Sequence, residues 1–339
     1  MPTMRVRHNT IPVFIPEEAC PNQCVFCNQH RIAGAECAPS VEDVVQKVNE
    51  HLLTIPAGGE VEIGFFGGNF TGIPIKEQQA YLECAQLFIE SGKVHGIRLS
   101  TRPDYINQEI LDFLKLYKVT SIELGAQSLD DEVLKLAGRG HTAAQVAEAA
   151  LLIKQNGFKL GLQMMIGLPG DTAEKSISTA QEIIRLGADC TRIYPTLVIK
   201  NTELEQLYID GKYQPLSLDE AISRVADLVP LFIDAEVKIL RIGLHPSEGL
   251  LDRSSLVAGP FEVAFGEMVF SEIWKRIFTT MIYPNGKRNL LTLTVANGMR
   301  NAAIGHKALN KNLLMESFRK VAFNESAELK GFEYHADTV

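Results

Sequence analysis

Three of the six cysteines in the chain, Cys20, Cys24 and Cys27, lie in one stretch of eight residues. They are separated by three residues and then by two, directly after a short apolar run. Three thiolates on one short loop can each bind one iron of a 4Fe–4S cluster and leave the fourth iron open to another ligand. A structural zinc site is the alternative, because His30 or Cys37 could supply the fourth ligand that such a site needs.

The elements that must position this loop follow a regular alternation of apolar runs and helical segments. The runs are rich in Val, Ile, Leu and Phe, and the connections are long enough for crossover helices, so we expect a parallel sheet with helices outside it. We predict an α/β fold, a partial (β/α)6-type TIM barrel, with a doubly wound open sheet as the alternative. The predicted strands are Ile11–Ile15, Val61–Phe66, Gly96–Ser100, Ser121–Gly125, Lys159–Ile166, Cys190–Tyr194 and Val237–Ile242. The predicted helices are Val41–Leu53, Lys76–Glu90, Gln108–Leu116, Asp130–Leu136, Ala143–Gln155, Ala173–Leu186 and Leu218–Leu231.

The alternation ends at about residue 250. We therefore predict a core barrel over residues 1–250 and a small α+β extension over residues 251–339 that packs on it. Helix Gly266–Thr280 and strand Leu290–Val295 are predicted within this extension. A basic, amide-rich stretch, Arg300–Lys311, follows them.

Composition narrows the class of protein. The net charge is −8 and the isoelectric point is near 5.6, which is the opposite sign to a broadly basic nucleic-acid binder. Local basic patches remain compatible with RNA binding. The sequence contains no apolar run of the ~18 residues that a membrane-spanning helix needs. We expect a cytoplasmic protein with no membrane contact, in which clustered cysteines bind metal rather than form disulfides.

Several short motifs occur in a fixed order between about residues 11 and 249. With the cysteine triplet they resemble the radical S-adenosylmethionine (SAM) superfamily, in the group that contains the Elongator catalytic subunit. The motifs are Phe65-Phe-Gly-Gly-Asn-Phe-Thr71, Ser100-Thr-Arg-Pro-Asp-Tyr105, Glu123-Leu-Gly-Ala-Gln-Ser128, Gly138-Arg-Gly-His-Thr142 and Ile193-Tyr-Pro-Thr-Leu-Val-Ile199.

The resemblance implies two cofactors, a 4Fe–4S cluster and SAM, and a reaction that starts with reductive cleavage of SAM. The product would be a 5′-deoxyadenosyl radical that abstracts hydrogen from an unactivated carbon of the substrate. An external one-electron donor, flavodoxin or ferredoxin, is implied as a partner. The oligomeric state does not follow from the sequence.

The resemblance also implies SAM contacts at the strand ends. Gly67 and Gly68 would let the backbone approach the SAM amino group, with Asn69 adding a side-chain hydrogen bond; a tight turn is the alternative explanation for the glycines. Arg139 is a further predicted contact. Ile166 leads into a turn similar to the one that wraps the adenine in this superfamily.

Ser100 and Arg102 follow the third strand, and Arg102 could clamp the SAM carboxylate or pair with Asp104 instead. Glu123 lies in an apolar strand, and a buried charge needs a partner, which favours a role in the site. Gln127 is a predicted ribose contact or a hydrogen-bonded turn residue.

Four further side chains are predicted at the ends of late barrel strands, where a barrel enzyme usually builds its substrate selectivity: Arg192, Tyr194, Arg241 and His245. Arg241 is the candidate for binding an anion. His141 lies in the same turn as Arg139 and is either structural or a ligand of SAM or substrate.

Two departures from the Elongator subunit limit what can be inferred. The first two cysteines are more closely spaced here, and the chain has no cysteine after Cys190. The tail is too short for the acetyltransferase domain, so we do not expect acetyl transfer.

Three functions therefore stay open. The first is RNA modification, with tRNA as the foremost substrate. The second is a small-molecule radical SAM enzyme that resembles the oxygen-independent coproporphyrinogen oxidases and acts on a tetrapyrrole or other metabolite. The third is a non-catalytic cluster- or zinc-binding module.

Overall fold

The computed structural model describes residues 8–16, 24–28, 37–56, 58–282 and 288–338. The strands are β1 (His8–Ile15), β2 (Glu60–Gly67), β3 (Gly96–Thr101), β4 (Val119–Gln127), β5 (Lys159–Ile166), β6 (Cys190–Pro195), β7 (Val198–Ile199), β8 (Lys238–Ile242), β9 (Leu256–Ala258), β10 (Arg288–Ala296), β11 (Phe318–Ser326) and β12 (Tyr334–Thr338). The α-helices are α1 (Val41–Thr54), α2 (Ile75–Glu90), α3 (Gln108–Leu116), α4 (Asp131–Leu136), α5 (Ala143–Gln155), α6 (Ala173–Arg185), α7 (Glu203–Ile209), α8 (Leu218–Asp234), α9 (Glu248–Leu251), α10 (Phe265–Thr279), α11 (Arg300–Ile304) and α12 (Leu309–Leu314).

The main sheet has seven strands in the order β1-β2-β3-β4-β5-β6-β8, and all neighbouring pairs are parallel. It curls into a half-barrel, which confirms the predicted partial TIM barrel. The strand order follows the chain without reversal, whereas a doubly wound sheet reverses direction at a switch point. The alternative architecture is therefore wrong.

The two faces of this sheet differ in polarity because neighbouring residues of a strand point to opposite sides. Toward the helices the strands present fully buried apolar side chains such as Ile63, Leu99 and Leu162. The concave face, the side turned away from the helices, carries buried charges instead, among them Arg98 and Glu123. The polar face is where a barrel of this type offers a site.

Local sequence explains several boundaries. Helix α1 begins after Ser40, whose hydroxyl accepts from the amide of Asp43 while the Asp43 carboxylate accepts from the Ser40 amide. This reciprocal capping box explains why the helix begins at Val41. Prediction and structure agree on most strands and helices of the barrel to within one to three residues.

The part of the chain after the barrel contains a second sheet in the order β11-β10-β12. Strand β10 pairs in parallel with β11 and antiparallel with β12, around a separate apolar core that contains Trp274 and Phe278. Helix α10 joins the two cores, since its Phe265 and Val269 belong to the core of the barrel. The domain boundary at residue 250 stays a prediction. No helix in the described part of the chain combines the length and apolarity needed to cross a membrane.

Candidate functional site

The cysteine loop is described from Cys24 to Asn28, and Cys20 lies outside the described residues. The amide of Cys27 donates to the carbonyl of Cys24 over 3.0 Å, which closes a tight turn with a cysteine at each end. Cys24 is buried and Cys27 is half-buried. Of the predicted ligand set, the structure therefore places two cysteines at the two ends of one turn.

The loop is held from two sides. The amide of Val25 donates to the carbonyl of Ala137 at the end of α4 over 3.1 Å, and the amide of Leu204 in α7 donates to the carbonyl of Val25 over 2.8 Å. Phe26 packs against Leu168 on the α4 side and belongs also to the apolar cluster beside α7. Helix α7, which the sequence analysis did not predict, is thus one of the two supports of the cysteine loop.

The glycine-rich turn after β2 lies against the end of β1. Gly67 has φ of +113°, and a Cβ atom at this position would lie 2.1 Å from the carbonyl oxygen of Ile15. The amide of Gly68 donates to the same oxygen over 3.1 Å. The close strand packing alone therefore requires glycine at position 67, and approach to SAM stays a prediction.

Asn69 connects the turns after β2 and β3. Its Oδ1 accepts from the Thr101 hydroxyl at 2.6 Å and from the Arg102 amide at 3.2 Å. Ser100 points to the concave face, where its hydroxyl accepts from Nε2 of Gln163 at 3.2 Å. Asn69 thus binds Thr101 and Arg102, two partners that the sequence analysis did not predict. Its contact with SAM stays a prediction.

Arg102 forms the salt bridge that the sequence offered as its alternative role. Its guanidinium contacts both carboxylate oxygens of Asp104 at 3.0 and 2.9 Å, and it donates to the carbonyl of Arg139 at 2.7 Å. It therefore fixes the turn that carries Arg139. A contact of Arg102 with the SAM carboxylate stays a prediction.

Arg139 reaches from this turn to the cysteine loop. Its Nη1 lies 3.1 Å from Sγ of Cys24, and Nη2 donates to the carbonyl of Gly125 on β4. The side chain is buried. A cation thus stands between the cysteine loop and the end of the fourth strand.

Gln127 ends β4 in the left-handed conformation, with φ of +67°. Its Oε1 is buried and has no hydrogen-bond partner within the described residues. A buried amide oxygen without a donor costs about 1–3 kcal/mol, so this position favours a ligand that donates a hydrogen bond.

Ile166 and His141 are both buried in the interior of the protein. The Ile166 side chain is fully buried in the main core, and its carbonyl accepts from the amide and hydroxyl of Thr196 at 3.0 and 2.8 Å. His141 is 4% exposed, and neither ring nitrogen has a well-formed hydrogen bond to another described residue. Burial, together with the charges of Arg139 and Arg102, lowers the pKa of His141 to about 4. His141 is therefore neutral at pH 7.

Comparison with known families shows the superfamily to which the chain belongs. The model of the Radical SAM superfamily matches residues 14–183, about half of the chain. The chain belongs to the radical SAM superfamily. A model described as the Radical_SAM C-terminal domain matches residues 188–275.

Several known proteins are similar to the chain over part of their length. A tRNA uridine(34) acetyltransferase of Dehalococcoides mccartyi is 28% identical over 257 residues, which cover 66% of this chain and 56% of that protein. Elongator complex protein 3 of Saccharomyces cerevisiae is 34% identical over 173 residues, which cover 49% of this chain and 29% of the yeast protein. The solved structure of the archaeal Methanocaldococcus infernus Elp3 has a TM-score of 0.64 at 24% identity, covering 80% of this chain and 63% of that one. The match thus leaves 37–71% of these relatives' length uncovered.

Membership of the radical SAM superfamily implies SAM and a 4Fe–4S cluster as cofactors in general. Two observations fit these cofactors: Cys24 and Cys27 share one backbone turn, and the Oε1 atom of Gln127 is buried without a hydrogen-bond partner among the described residues. Within the described part of the chain no group of three His, Cys, Asp or Glu side chains could hold a metal ion, and Cys20, the third predicted ligand, lies outside that part. His30, considered as a zinc ligand, also lies outside the described residues.

Glu123 is the centre of a buried ion network on the concave face. Its Oε1 accepts from Arg98 at 3.0 Å, and its Oε2 accepts from Arg192 at 2.6 Å and from Gln163 at 3.0 Å. Arg98 also contacts Glu62 at 2.9 Å. Burial by itself raises the pKa of Glu123. The guanidiniums of Arg192 and Arg98 outweigh this effect and hold the pKa below its usual value.

The premise that the buried Glu123 needs a partner is therefore correct, but the partners are arginines of the sheet itself. Both of its oxygens are occupied, and a contact with SAM stays a prediction. The sequence analysis missed Arg98, Glu62 and Gln163. A sequence pattern could have revealed them, because all three are polar residues at alternating positions in otherwise apolar strands.

The basic stretch Arg300–Lys311 packs partly against α10. The amide of His306 donates to the Ser271 hydroxyl at 2.6 Å, and Nδ2 of Asn310 donates to the Ser271 carbonyl at 2.9 Å. The adjoining groove between α8, α10 and α12, about 720 Å³ in volume, is lined by acids as well as by bases, with Glu272 and Glu316 beside Lys275. His306 and Asn310 thus anchor the stretch to α10.

Proposed function

We propose that this radical SAM protein holds a 4Fe–4S cluster with Cys20, Cys24 and Cys27 and binds SAM at the turns after β2, β3 and β4. When bound, the two cofactors supply a one-electron cleavage of SAM whose 5′-deoxyadenosyl radical abstracts hydrogen from the substrate. The contact of Arg139 with Cys24 carries this proposal, because it brings the cysteine loop and the predicted SAM turns into one site.

The residues have distinct roles in this proposal. Arg139 is better placed than Arg102 to neutralise the SAM carboxylate, since Asp104 already pairs with Arg102. Gln127 offers its unpaired oxygen to a hydroxyl donor such as a ribose. Gly67 and Gly68 are half-buried and carry no side chain that would block a ligand, and Phe26 covers the loop with apolar surface that keeps water from a reactive site.

RNA, with tRNA foremost, is the proposed substrate, and flavodoxin or ferredoxin is the proposed electron donor. The similarity to a tRNA uridine(34) acetyltransferase over 66% of the chain supports an RNA substrate. The net charge of −8 and the anchoring of the basic stretch favour the second candidate, a small-molecule substrate.

The first experiment measures 5′-deoxyadenosine after anaerobic reconstitution with iron, sulfide, SAM and a chemical reductant. The parent protein should release it, and Cys24→Ala should release none. Cys37→Ser is the matched control, because Cys37 is exposed and lies on a separate segment. Equal release from Cys24→Ala and the parent would refute the cluster assignment, and loss of metal binding in Cys37→Ser would support the zinc alternative.

The second experiment tests the substrate. Mass spectrometry of tRNA nucleosides from a strain without this protein should reveal one missing modification that the parent gene restores and Cys24→Ala does not. Binding of unmodified tRNA should weaken with salt in proportion to the phosphates contacted. An unchanged nucleoside profile would reject the RNA substrate and leave the small-molecule candidate.

A further inference from the structure

The charges on the concave face do not balance. Glu62, Arg98, Glu123 and Arg192 form a chain in which each carboxylate contacts a guanidinium, at 2.9, 3.0 and 2.6 Å in turn. Two acids and two bases neutralise each other along this chain. The next strand adds a third guanidinium, that of Arg241 on β8, which is the register partner of Arg192.

Arg241 has no carboxylate partner among the described residues. Its Nε donates to the carbonyl of Gly243 and its Nη2 donates to the carbonyl of Leu244, both at 2.8 Å. These contacts orient the guanidinium but do not neutralise it. The neighbours of Arg241 do not compensate it either, because they are Arg192, the phenol of Tyr194 and the imidazole of His245.

The side of the sheet that Arg241 faces is accessible. On β5 the inward residues Gln163 and Met165 are half-buried, whereas Met164 between them is fully buried. Arg192 is 16% exposed, and its guanidinium carbon lies 5.0 Å from the ring centre of Phe66. A ligand on the concave face can therefore reach the arginines while lying against apolar surface.

We propose that Arg241 binds an anionic group of the substrate, a carboxylate or a phosphate, on the concave face of the half-barrel. An unbalanced, half-buried guanidinium held by two carbonyls is prepared for a charge-assisted hydrogen bond to such an anion. This inference rests on the proposed function, and it assigns the substrate class rather than the SAM site. The SAM turns lie at β2 to β4, and β8 lies three strand spacings beyond β4, roughly 14 Å along the sheet.

The test measures anion binding without turnover, so that it stays informative whether or not SAM is cleaved. Inorganic phosphate and propionate are titrated separately at constant ionic strength into the reconstituted protein, and the rise in thermal midpoint gives the half-saturating concentration. The parent should respond saturably. Arg241→Gln should raise the half-saturating concentration at least about tenfold, the loss expected for one charged hydrogen-bond donor.

Three variants keep the outcome interpretable. Arg319→Gln, an exposed arginine on β11, should respond like the parent. Arg241→Lys keeps the charge and should bind with intermediate affinity, which serves as the readout if Arg241→Gln does not fold. Arg139→Gln, at the proposed SAM turns, shows how much of the response comes from anions in the proposed SAM site rather than at Arg241.

The titrations identify the anion and test the role of Arg241. A stronger response to phosphate than to propionate assigns a phosphate-bearing substrate, and the reverse assigns a carboxylate. Parent-like binding in Arg241→Gln, or binding lost only in Arg139→Gln, would overturn the proposal. Absence of 5′-deoxyadenosine release with intact anion binding would reject the proposed function and leave the anion site standing.

Discussion

Nη1 of Arg139 lies 3.1 Å from Sγ of Cys24, although the two residues are 115 positions apart. The same guanidinium donates to the carbonyl of Gly125 on β4. Arg139 thus joins two segments that the proposed cofactors must both contact. The contact depends on Arg102, which holds the carbonyl of Arg139 in place.

Replacement of Arg139 by Gln should weaken SAM binding at least about tenfold, since one charge-assisted hydrogen bond is lost. The free energy of unfolding should fall by about 1–3 kcal/mol, because Gly125 and Cys24 lose their donor. Equilibrium dialysis with SAM and urea unfolding measure the two effects. Arg319→Gln is the control, and SAM affinity equal to the parent's in Arg139→Gln would reject the assigned role.

Gly67→Ala should destabilise the fold severely. The added methyl group would meet the Ile15 carbonyl at 2.1 Å in a backbone with φ of +113°. We expect a loss of about 2–5 kcal/mol, from left-handed strain and overpacking together. Gly157→Ala separates the two causes, because Gly157 also has a positive φ, +82°, but no atom within 4 Å of the added methyl. Its loss should be about 1–2 kcal/mol. Equal losses in urea unfolding would show that strand contact does not restrict Gly67.

The barrel, and the positions of the turns that follow its strands, could be predicted from the sequence. Buried parallel strands are continuous apolar runs, and the Ser40 capping box is a local pattern, so both follow from neighbouring residues. The partner of Arg102 could not be predicted from the sequence. Two partners were open to it, and the structure pairs it with Asp104, only two residues away.

Contacts between distant segments were not predictable in the same way. Arg98 bridges Glu62 and Glu123 because β2, β3 and β4 are adjacent in a parallel sheet, and one sequence does not give that register. The support of Val25 by Leu204 depends on the short helix α7, which lacks a long periodic pattern. These are tertiary relationships, and the site is built largely from them.

The buried carboxylate of Glu123 should make stability depend on acid pH. Arg192 and Arg98 hold the pKa of Glu123 below its usual value, so its contribution is complete above about pH 4.5 and is lost as the pH falls through the lowered value. At pH 7, Glu123→Gln should cost about 3–5 kcal/mol, because two guanidiniums lose their shared partner. The difference from the parent should shrink as the pH falls below 4.5. Glu148→Gln, an exposed residue on α5, is the control; a difference that does not change with pH would contradict the ion network.

His141 should produce a second pH dependence in a different range. Its pKa in the folded state is about 4, against 6.5 as the ordinary value, because it is buried beside Arg139 and Arg102. Between pH 6.5 and pH 4 the unfolded chain therefore binds a proton that the folded chain does not, and stability falls as the pH falls. The loss over this range should be on the order of 3 kcal/mol and should be absent in His141→Gln. Urea unfolding at successive pH values measures it, with His335→Gln, an exposed residue on β12, as the control. A slope in this range that persists in His141→Gln would assign the dependence to another group.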